Sequence, residues 1–248
     1  MSETERAEMK AEGLIVTRGG RDIVRNVTLV VNPGEVVGVL GPSGAGKSTL
    51  FRALVGELSV TRGAVRLGPR DLTHLPVWAR ARAGMGYIPQ TPSVFWDLTV
   101  EENLIAYAKI AGVVDPARTQ SLLAEVELES RRHVRAGELS GGERRRLEFA
   151  RAITTTPKIL ICDEPFAGVD PSLASRLGAL LSDLAKKGVG VILADHHVAE
   201  ALHICTRAIL LLDGEVAAEA DPEAFRRLPI VESRYLGSAH EVPPPPTS

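Results

Sequence analysis

The chain has 248 residues, and its apolar (44%) and charged (24%) fractions are typical of a globular protein with one large domain or two small lobes. A formal net charge of −2 gives no overall basic field, which argues against a protein that binds nucleic acid. No apolar run approaches the roughly 20 residues needed to cross a bilayer, and the first ten residues are too polar for a secretory signal. We therefore expect neither nucleic acid as a partner nor direct membrane insertion.

Apolar runs bounded by turn residues predict strands, and longer runs of helical period predict helices. The predicted strands are residues 14–16, 27–31, 36–40, 64–67, 85–88, 159–162, 189–194 and 208–212. The predicted helices are residues 48–56, 76–83, 101–110, 116–126, 140–155, 171–187 and 197–205. Strands that alternate with helices favour an α/β fold with a parallel sheet, and the mostly helical stretch at about 91–155 interrupts it as an inserted subdomain.

The two ends of the chain depart from this pattern. Residues 1–10 are polar, and residues 238–248 include four consecutive prolines, which is typical of an extended or flexible segment. We expect both ends to be flexible and the folded domain to span residues 11–237.

A glycine-rich segment follows the apolar run at residues 36–40. Its sequence, Gly-Pro-Ser-Gly-Ala-Gly-Lys-Ser at residues 41–48, is that of a loop whose backbone N–H groups surround a nucleotide's phosphates. Lys47 is expected to reach the β- and γ-phosphates, and the Ser48 hydroxyl is expected to ligate Mg²⁺. The residues predicted to bind ATP here are Gly41, Pro42, Ser43, Gly44, Ala45, Gly46, Lys47, Ser48 and Thr49.

Two acidic residues, Asp163 and Glu164, follow the apolar strand predicted at residues 159–162. Ligand sites in parallel sheets lie at the carboxyl ends of the strands. Asp163 is therefore predicted to hold Mg²⁺ together with Ser48. Glu164 is predicted to orient or deprotonate the water that attacks the γ-phosphate. A solvated acidic turn is the alternative, and the phosphate-binding loop argues against it.

The run Leu-Ser-Gly-Gly-Glu at residues 139–143 resembles the signature motif of ABC transporter ATPases. Ser140, Gly141 and Gly142 suit a second phosphate site, because a capping serine and two glycines leave N–H groups accessible at a helix N-terminus. The resemblance implies a P-loop cassette with a RecA-like core, an N-terminal antiparallel β subdomain and an inserted α-helical subdomain. It also implies a head-to-tail homodimer, in which this motif faces ATP held by the other subunit.

The other landmarks of the family occur in order. The resemblance implies that Gln90 senses Mg²⁺ and begins the coupling loop, and that Asp170 lies in the loop that crosses the dimer seam. It also implies that His196 contacts the γ-phosphate, with His197 as the adjacent alternative. Arg18 stands where the family has an aromatic residue that stacks on adenine. This departure predicts weaker adenine contact and relaxed base selectivity.

Several stretches indicate a subfamily. Residues 75–90, 139–146 and 163–171 resemble the ATPases of lipopolysaccharide exporters, which is the favoured prediction. The ATPases of branched-chain amino acid importers share the ending at residues 234–237 and remain an alternative. A non-transport ATPase of DNA repair or translation is the third hypothesis, disfavoured because the chain has one cassette and no heptad run.

The exporter resemblance also implies partners and a location. Two copies are expected to lie under a pair of integral membrane permease subunits (LptF/LptG-like), at the cytoplasmic face of the inner membrane. ATP binding would close the dimer and hydrolysis would reopen it. Phe95 is predicted to line the groove that receives a coupling helix of the permease, and packing inside the helical subdomain is the alternative.

Overall fold

The computed structural model describes residues 7–113 and 115–237, and the predicted tail at 238–248 lies outside these residues. The strands are β1 (Met9–Arg18), β2 (Arg21–Val31), β3 (Val36–Leu40), β4 (Arg62–Leu67), β5 (Arg70–Asp71), β6 (Met85–Ile88), β7 (Ile159–Asp163), β8 (Gly190–Ala194), β9 (Arg207–Leu212) and β10 (Glu215–Ala220). Within the described residues they form an antiparallel sheet, with the order β2-β1-β4-β5, and a six-stranded sheet, with the order β10-β9-β3-β8-β7-β6.

Parallel pairing forms the centre of the six-stranded sheet. Strand β3 pairs in parallel with β8 and β9, and β7 pairs in parallel with β6 and β8. All residues of β3, β7 and β8 are buried, as expected for strands covered on both faces. Because these strands run in the same direction, their carboxyl ends meet at one edge of the sheet.

The helices are α1 (Lys47–Val55), α2 (Val77–Ala83), α3 (Val100–Ala111), α4 (Pro116–Glu125), α5 (Gly141–Ile153), α6 (Pro171–Lys186), α7 (Val198–Ile204), α8 (Pro222–Arg226) and α9 (Pro229–Val231). Short 3₁₀ turns lie at Glu129–Arg131 and Ala136–Glu138, and a π-helical turn lies at Glu232–Leu236. Each helix within residues 7–113 and 115–237 is too short or too polar to span a lipid bilayer.

Alternate residues of β3 belong to two separate apolar cores. Val36 and Leu40 belong to the core that contains residues of α5 and α6. Val37 and Val39 belong to the core that contains residues of α1 and of the antiparallel sheet. This alternation follows from the two-residue period of a strand and fixes the central strand between two layers.

The prediction of a flexible N-terminus up to residue 10 is wrong for Met9 and Lys10. Both belong to β1, and the side chain of Met9 is fully buried. Met9 pairs with Val31 of β2 and with Leu67 of β4, which are distant in sequence. Residues 1–6 lie outside the described residues.

The stretch predicted as mostly helical from about residue 91 begins instead with a loop, at residues 91–98. Helix α3 begins only at Val100 because Thr99 caps it. The Thr99 hydroxyl accepts from the N–H of Glu102, and the Glu102 carboxylate accepts from the N–H of Thr99. After residue 212, strand β10 and helix α8 were not predicted.

Candidate active site

The phosphate-binding loop lies between the carboxyl end of β3 and the N-terminus of α1. Gly41 has a φ of +154°, and a Cβ there would lie 2.2 Å from the carbonyl oxygen of Leu211, so this position requires glycine. At Gly44, which has a φ of +82°, a Cβ would meet no atom within 4 Å. The loop is therefore tightly packed where it leaves the sheet and open at its centre, where a phosphate can enter.

Lys47, the first residue of α1, is buried, and its ammonium group lies inside the loop. Its Nζ donates to the carbonyl oxygens of Gly41 (2.6 Å) and Pro42 (3.0 Å). Burial lowers the pKa of Lys47, whereas the carboxylates of Glu164 and Asp163 raise it. Since both hydrogen-bond acceptors are neutral, a phosphate oxygen would be a stronger partner for this ammonium group.

Asp163, the last residue of β7, accepts a hydrogen bond from the Ser48 hydroxyl over 3.3 Å. Burial raises the pKa of Asp163, and the hydrogen bond from Ser48 opposes this shift. A divalent cation would favour the ionised carboxylate and so offset the cost of burial.

The described residues contain no group of three or more His, Cys, Asp or Glu side chains placed so that they could hold a metal ion by themselves. Mg²⁺ does not require one, because it binds one or two carboxylates together with waters and substrate phosphates. The hydroxyl of Ser48, the carboxylate of Asp163 and the nearby amide of Gln90 are oxygen donors of the kind that Mg²⁺ prefers.

Glu164 and His196 contact one another at the same edge of the sheet. The Nε2 atom of His196 is 2.9 Å from Oε1 of Glu164. Glu164 has a φ of +54°, which is uncommon for a residue other than glycine, and its N–H donates to the carbonyl of Ala194 over 2.7 Å. His197 instead contacts Asp195, with its Nδ1 atom 2.8 Å from Oδ1. Of the two candidate histidines, His196 is the one that contacts Glu164.

One cavity of about 370 Å³ brings these groups together. Its walls are residues 43–49 of the phosphate-binding loop, Gln90, Glu164 and His196, with Ile23 of β2 at one side. This volume is within the range of small-ligand sites, about 300–1,000 Å³. Seven of the nine predicted loop residues thus share one cavity with Gln90, Glu164 and His196, whereas Gly41, Pro42 and Asp163 do not line it.

The residues of the signature motif lie elsewhere, at the N-terminus of α5, and do not line this cavity. The Ser140 hydroxyl accepts from the N–H of Glu143 (3.2 Å), and the Glu143 carboxylate accepts from the N–H of Ser140 (2.9 Å). These contacts, together with Arg131, lower the pKa of Glu143 to about 2. A Cβ on Gly141 would meet no atom within 4 Å, and Gly142 follows it in the first turn of the helix. The motif is therefore a capped and accessible helix N-terminus.

Two further predicted residues also lie outside the cavity. The carboxylate of Asp170 accepts from the N–H of Leu173 over 3.0 Å and so caps α6. Arg18 is exposed at the turn between β1 and β2, where it pairs with Arg21. Ile23, which sequence analysis missed, lines the cavity instead of Arg18. Ile23 can be identified as a cavity residue only from the folded chain, in which β2 lies beside the phosphate-binding loop.

Phe95 lies in the loop at residues 91–98 and is 37% exposed. The buried side chain of Asn103 holds this loop, because its amide donates to the carbonyl of Phe95 (3.0 Å) and accepts from the N–H of Phe95 (2.8 Å). The guanidinium of Arg151 lies over the ring, 4.7 Å from its centroid. One part of the ring is therefore packed, and the other part is accessible.

A buried ion pair between Arg145 and Glu148 on α5 was also missed by sequence analysis. Arg145 donates to Glu148 (2.7 Å) and to the backbone carbonyl of Glu164 (2.5 Å). It also donates to the carbonyl of Pro89, the residue before Gln90, over 3.2 Å. Residues 144–146 are three consecutive arginines, and nothing in the sequence alone indicates which one is buried.

Comparison with known proteins identifies the relatives of this chain. Residues 24–167 match the family model described as ABC transporter. The "Lipopolysaccharide export system ATP-binding protein LptB" of Acidithiobacillus ferridurans is 41% identical over 237 residues, which cover 94% of this chain and 98% of that protein.

Solved structures of ATP-binding cassettes have the same fold. A nucleotide-free cassette from an ABC transporter superimposes with a TM-score of 0.83 at 26% identity, covering 92% of this chain and 98% of the other. A dimeric cassette in a post-hydrolysis state, bound to ADP and Pi, superimposes with a TM-score of 0.78 at 26% identity. That match covers 86% of this chain and 98% of the other.

Proposed function

The chain belongs to the ABC transporter family, as an ATP-binding cassette with ATPase activity, and we propose that it powers the extraction of lipopolysaccharide from the inner membrane for export. The observation that carries the ATPase assignment is the 2.9 Å contact between Glu164 and His196, in the same cavity as Lys47. The lipopolysaccharide assignment is supported by the 41% identity to an export ATPase over nearly the whole chain.

At the site, Lys47 and the N–H groups of the loop bind the β- and γ-phosphates of ATP. Ser48, Asp163 and Gln90 would hold Mg²⁺, which would neutralise charge on the phosphates when bound. Glu164 orients a water molecule toward the γ-phosphorus and accepts its proton, so that ATP and water become ADP and inorganic phosphate. His196 holds the Glu164 carboxylate and lies beside the γ-phosphate.

The active unit is a head-to-tail homodimer. In a single chain, Ser140 and Gly141 do not line the ATP cavity, yet they form an accessible helix N-terminus suited to a phosphate. A second copy would bring this N-terminus, and the loop that contains Asp170, to the γ-phosphate. The dimeric state of a structural relative bound to ADP and Pi supports this assembly.

The dimer works at the cytoplasmic face of the inner membrane, beneath two integral membrane permease subunits of the LptF/LptG type. Phe95 contacts a coupling helix of the permease, since its ring is partly accessible and its loop follows Gln90 closely in the chain. Replacing Phe95 by Ala should weaken assembly with the permease and leave the ATPase activity of the isolated cassette intact. Normal assembly of that variant would contradict the docking role.

Hydrolysis is tested with Glu164→Gln. This variant should bind ATP with wild-type affinity, lose at least about a hundredfold in turnover and accumulate as a dimer in the presence of ATP. Turnover and sedimentation velocity measure these effects, and Lys47→Ala, which should lose nucleotide affinity, is the matched comparison. Hydrolysis by Glu164→Gln at the wild-type rate would remove Glu164 from the role of base.

The cargo is tested by its membrane partners. A tagged Glu164→Gln protein is purified from its own cells with ATP, and the co-purified membrane proteins are identified by mass spectrometry. Recovery of lipopolysaccharide-export permeases is the expected result. Recovery of amino-acid permeases would reassign the chain to an importer, and the absence of any membrane protein from intact complexes would favour a non-transport ATPase.

A further inference from the structure

A buried carboxylate with no role in the proposed chemistry lies between the two loops that carry Glu164 and His196. The side chain of Asp195, the residue directly after β8, is 1% exposed. Its Oδ2 accepts from the N–H of Phe166 over 2.8 Å, two residues after Glu164. Its Oδ1 accepts from the N–H of His197 over 2.8 Å, one residue after His196. One side chain therefore joins the loop after β7 to the loop after β8.

The ring of His197 supplies a third contact to this carboxylate. Its Nδ1 lies 2.8 Å from Oδ1 of Asp195. Because a carboxylate only accepts hydrogen bonds, the contact is favourable when Nδ1 carries the proton. The His197 side chain is 47% exposed, so this donor reaches the buried carboxylate from the protein surface. Three donors thus satisfy a carboxylate whose burial would otherwise be costly.

The backbone around Glu164 needs such support. Its φ of +54° is costly for a non-glycine residue and persists only where neighbouring contacts hold it. The hydrogen bond from the N–H of Phe166 to Asp195 fixes the chain just after Glu164, and the two contacts of Asp195 with His197 fix the chain just after His196. Neither Asp195 nor His197 lines the ATP cavity.

We propose that Asp195 and His197 form a positioning pair that holds Glu164 and His196 at contact distance. The pair acts through the two backbones, not by touching ATP, and the proposal rests on the proposed ATPase activity. The requirement for a group held within a fraction of an ångström is typical of general-base chemistry. The pair should therefore affect turnover more than nucleotide affinity.

His197 is the better residue to replace, because its side chain is partly exposed and its loss should leave the protein folded. His197→Ala removes the side-chain donor, whereas the amide nitrogen of His197→Asn can occupy the position of Nδ1 and donate the same hydrogen bond. We expect kcat to fall about tenfold in His197→Ala with KM for ATP within about twofold of wild type. We expect His197→Asn to recover kcat to within about twofold. His203→Ala, an exposed histidine on α7, is the matched control and should match wild type.

A spectroscopic measurement on the wild-type protein tests the contact directly. Nitrogen-15 NMR of the histidine rings should assign the proton of His197 to Nδ1, and Asp195→Asn should abolish that preference. Asp195→Asn also leaves only one side-chain oxygen, whereas Asp195 uses one oxygen to accept from Phe166 and the other to accept from His197. The kcat of Asp195→Asn should therefore fall further than that of His197→Ala.

Two results would overturn the pair. One is a His197→Ala protein with wild-type kcat, and the other is a His197→Asn protein as slow as His197→Ala, since the effect would then not pass through Asp195. Wild-type protein that fails to hydrolyse ATP would instead defeat the proposed function, and the pair with it. If the wild-type protein hydrolyses ATP, Glu164→Gln abolishes this activity and His197→Ala leaves it unchanged, then the ATPase function stands and only the positioning role of the pair is rejected.

Discussion

The guanidinium of Arg145 donates to the backbone carbonyl of Glu164 over 2.5 Å. Arg145 lies on α5, whose N-terminus is capped by Ser140. The helix that would bind a partner's γ-phosphate therefore also holds the backbone of the proposed catalytic base. A displacement of α5 relative to the six-stranded sheet would have to move Glu164 or break this hydrogen bond.

The buried ion pair on α5 should be costly to break from one side. The side chains of Arg145 and Glu148 are 7% and 4% exposed, so Arg145→Met leaves a buried carboxylate without its partner. We expect the free energy of unfolding to fall by about 3 kcal/mol in urea titrations. Adding Glu148→Leu should restore part of the lost stability. Turnover should stay low, because the backbone carbonyl of Glu164 still lacks the hydrogen bond that Arg145 donates.

The matched control is the ion pair between Lys186 and Asp183 on α6, which has the same three-residue spacing. Its side chains are 76% and 57% exposed, so Lys186→Met should change stability by less than about 0.5 kcal/mol. Equal losses in the buried and exposed pairs would mean that burial does not determine the cost.

Substitutions of Ser140 should separate helix capping from phosphate binding. Ser140→Ala loses the cap and about 1 kcal/mol of stability, and it should spare ATP binding by the monomer but reduce turnover. Ser140→Asp retains a capping side chain but puts a negative charge where the partner's phosphate would bind. It should therefore keep wild-type stability and lose turnover. If Ser140→Asp hydrolyses ATP normally, the shared site between two copies is wrong.

Asp163→Asn should make the protein more stable and inactive. Burial raises the pKa of Asp163, so the ionised carboxylate costs stability at neutral pH, and a neutral amide should recover about 1 kcal/mol. Since the folded-state pKa is the higher one, the cost begins to fall as the pH drops through it and is gone below the unfolded-state pKa. The difference in unfolding free energy between variant and wild type should therefore shrink at acidic pH. Stabilisation of the variant by Mg²⁺ and ATP together, at the wild-type level, would contradict the role of Asp163 in metal binding.

Two residues, Ile23 and Arg18, are candidates for the contact with the adenine base of the nucleotide. Ile23 lines the ATP cavity, and Arg18 is exposed nearby on the paired strand. We still propose that Arg18 stacks on the base, which predicts comparable hydrolysis of ATP and GTP and little change in their ratio in Ile23→Ala. A strong preference for ATP that is lost in Arg18→Ala would make relaxed base selectivity untenable. A loss of affinity in Ile23→Ala alone would assign the contact to Ile23.

Much of the site can be predicted from short, continuous stretches of sequence. The phosphate-binding loop at residues 41–48 could be predicted because it depends on a strand, glycines and a helix start that are consecutive in the chain. The alternation of strands and helices likewise predicted the parallel sheet. The boundaries were less predictable. Met9 joins β1 because of partners at Val31 and Leu67, and such distant pairing has no local signal.

The chemical groups of the site can be identified from short motifs alone: a lysine and a serine after a glycine loop, two acids after a strand, and a capped signature helix. The contacts that these groups make depend on the folded chain. It brings His196 to Glu164, directs His197 to Asp195, and buries Arg145 among three adjacent arginines. The reason is physical, because burial and hydrogen-bond partners depend on strands and helices far apart in the chain, whereas a motif depends only on its immediate neighbours.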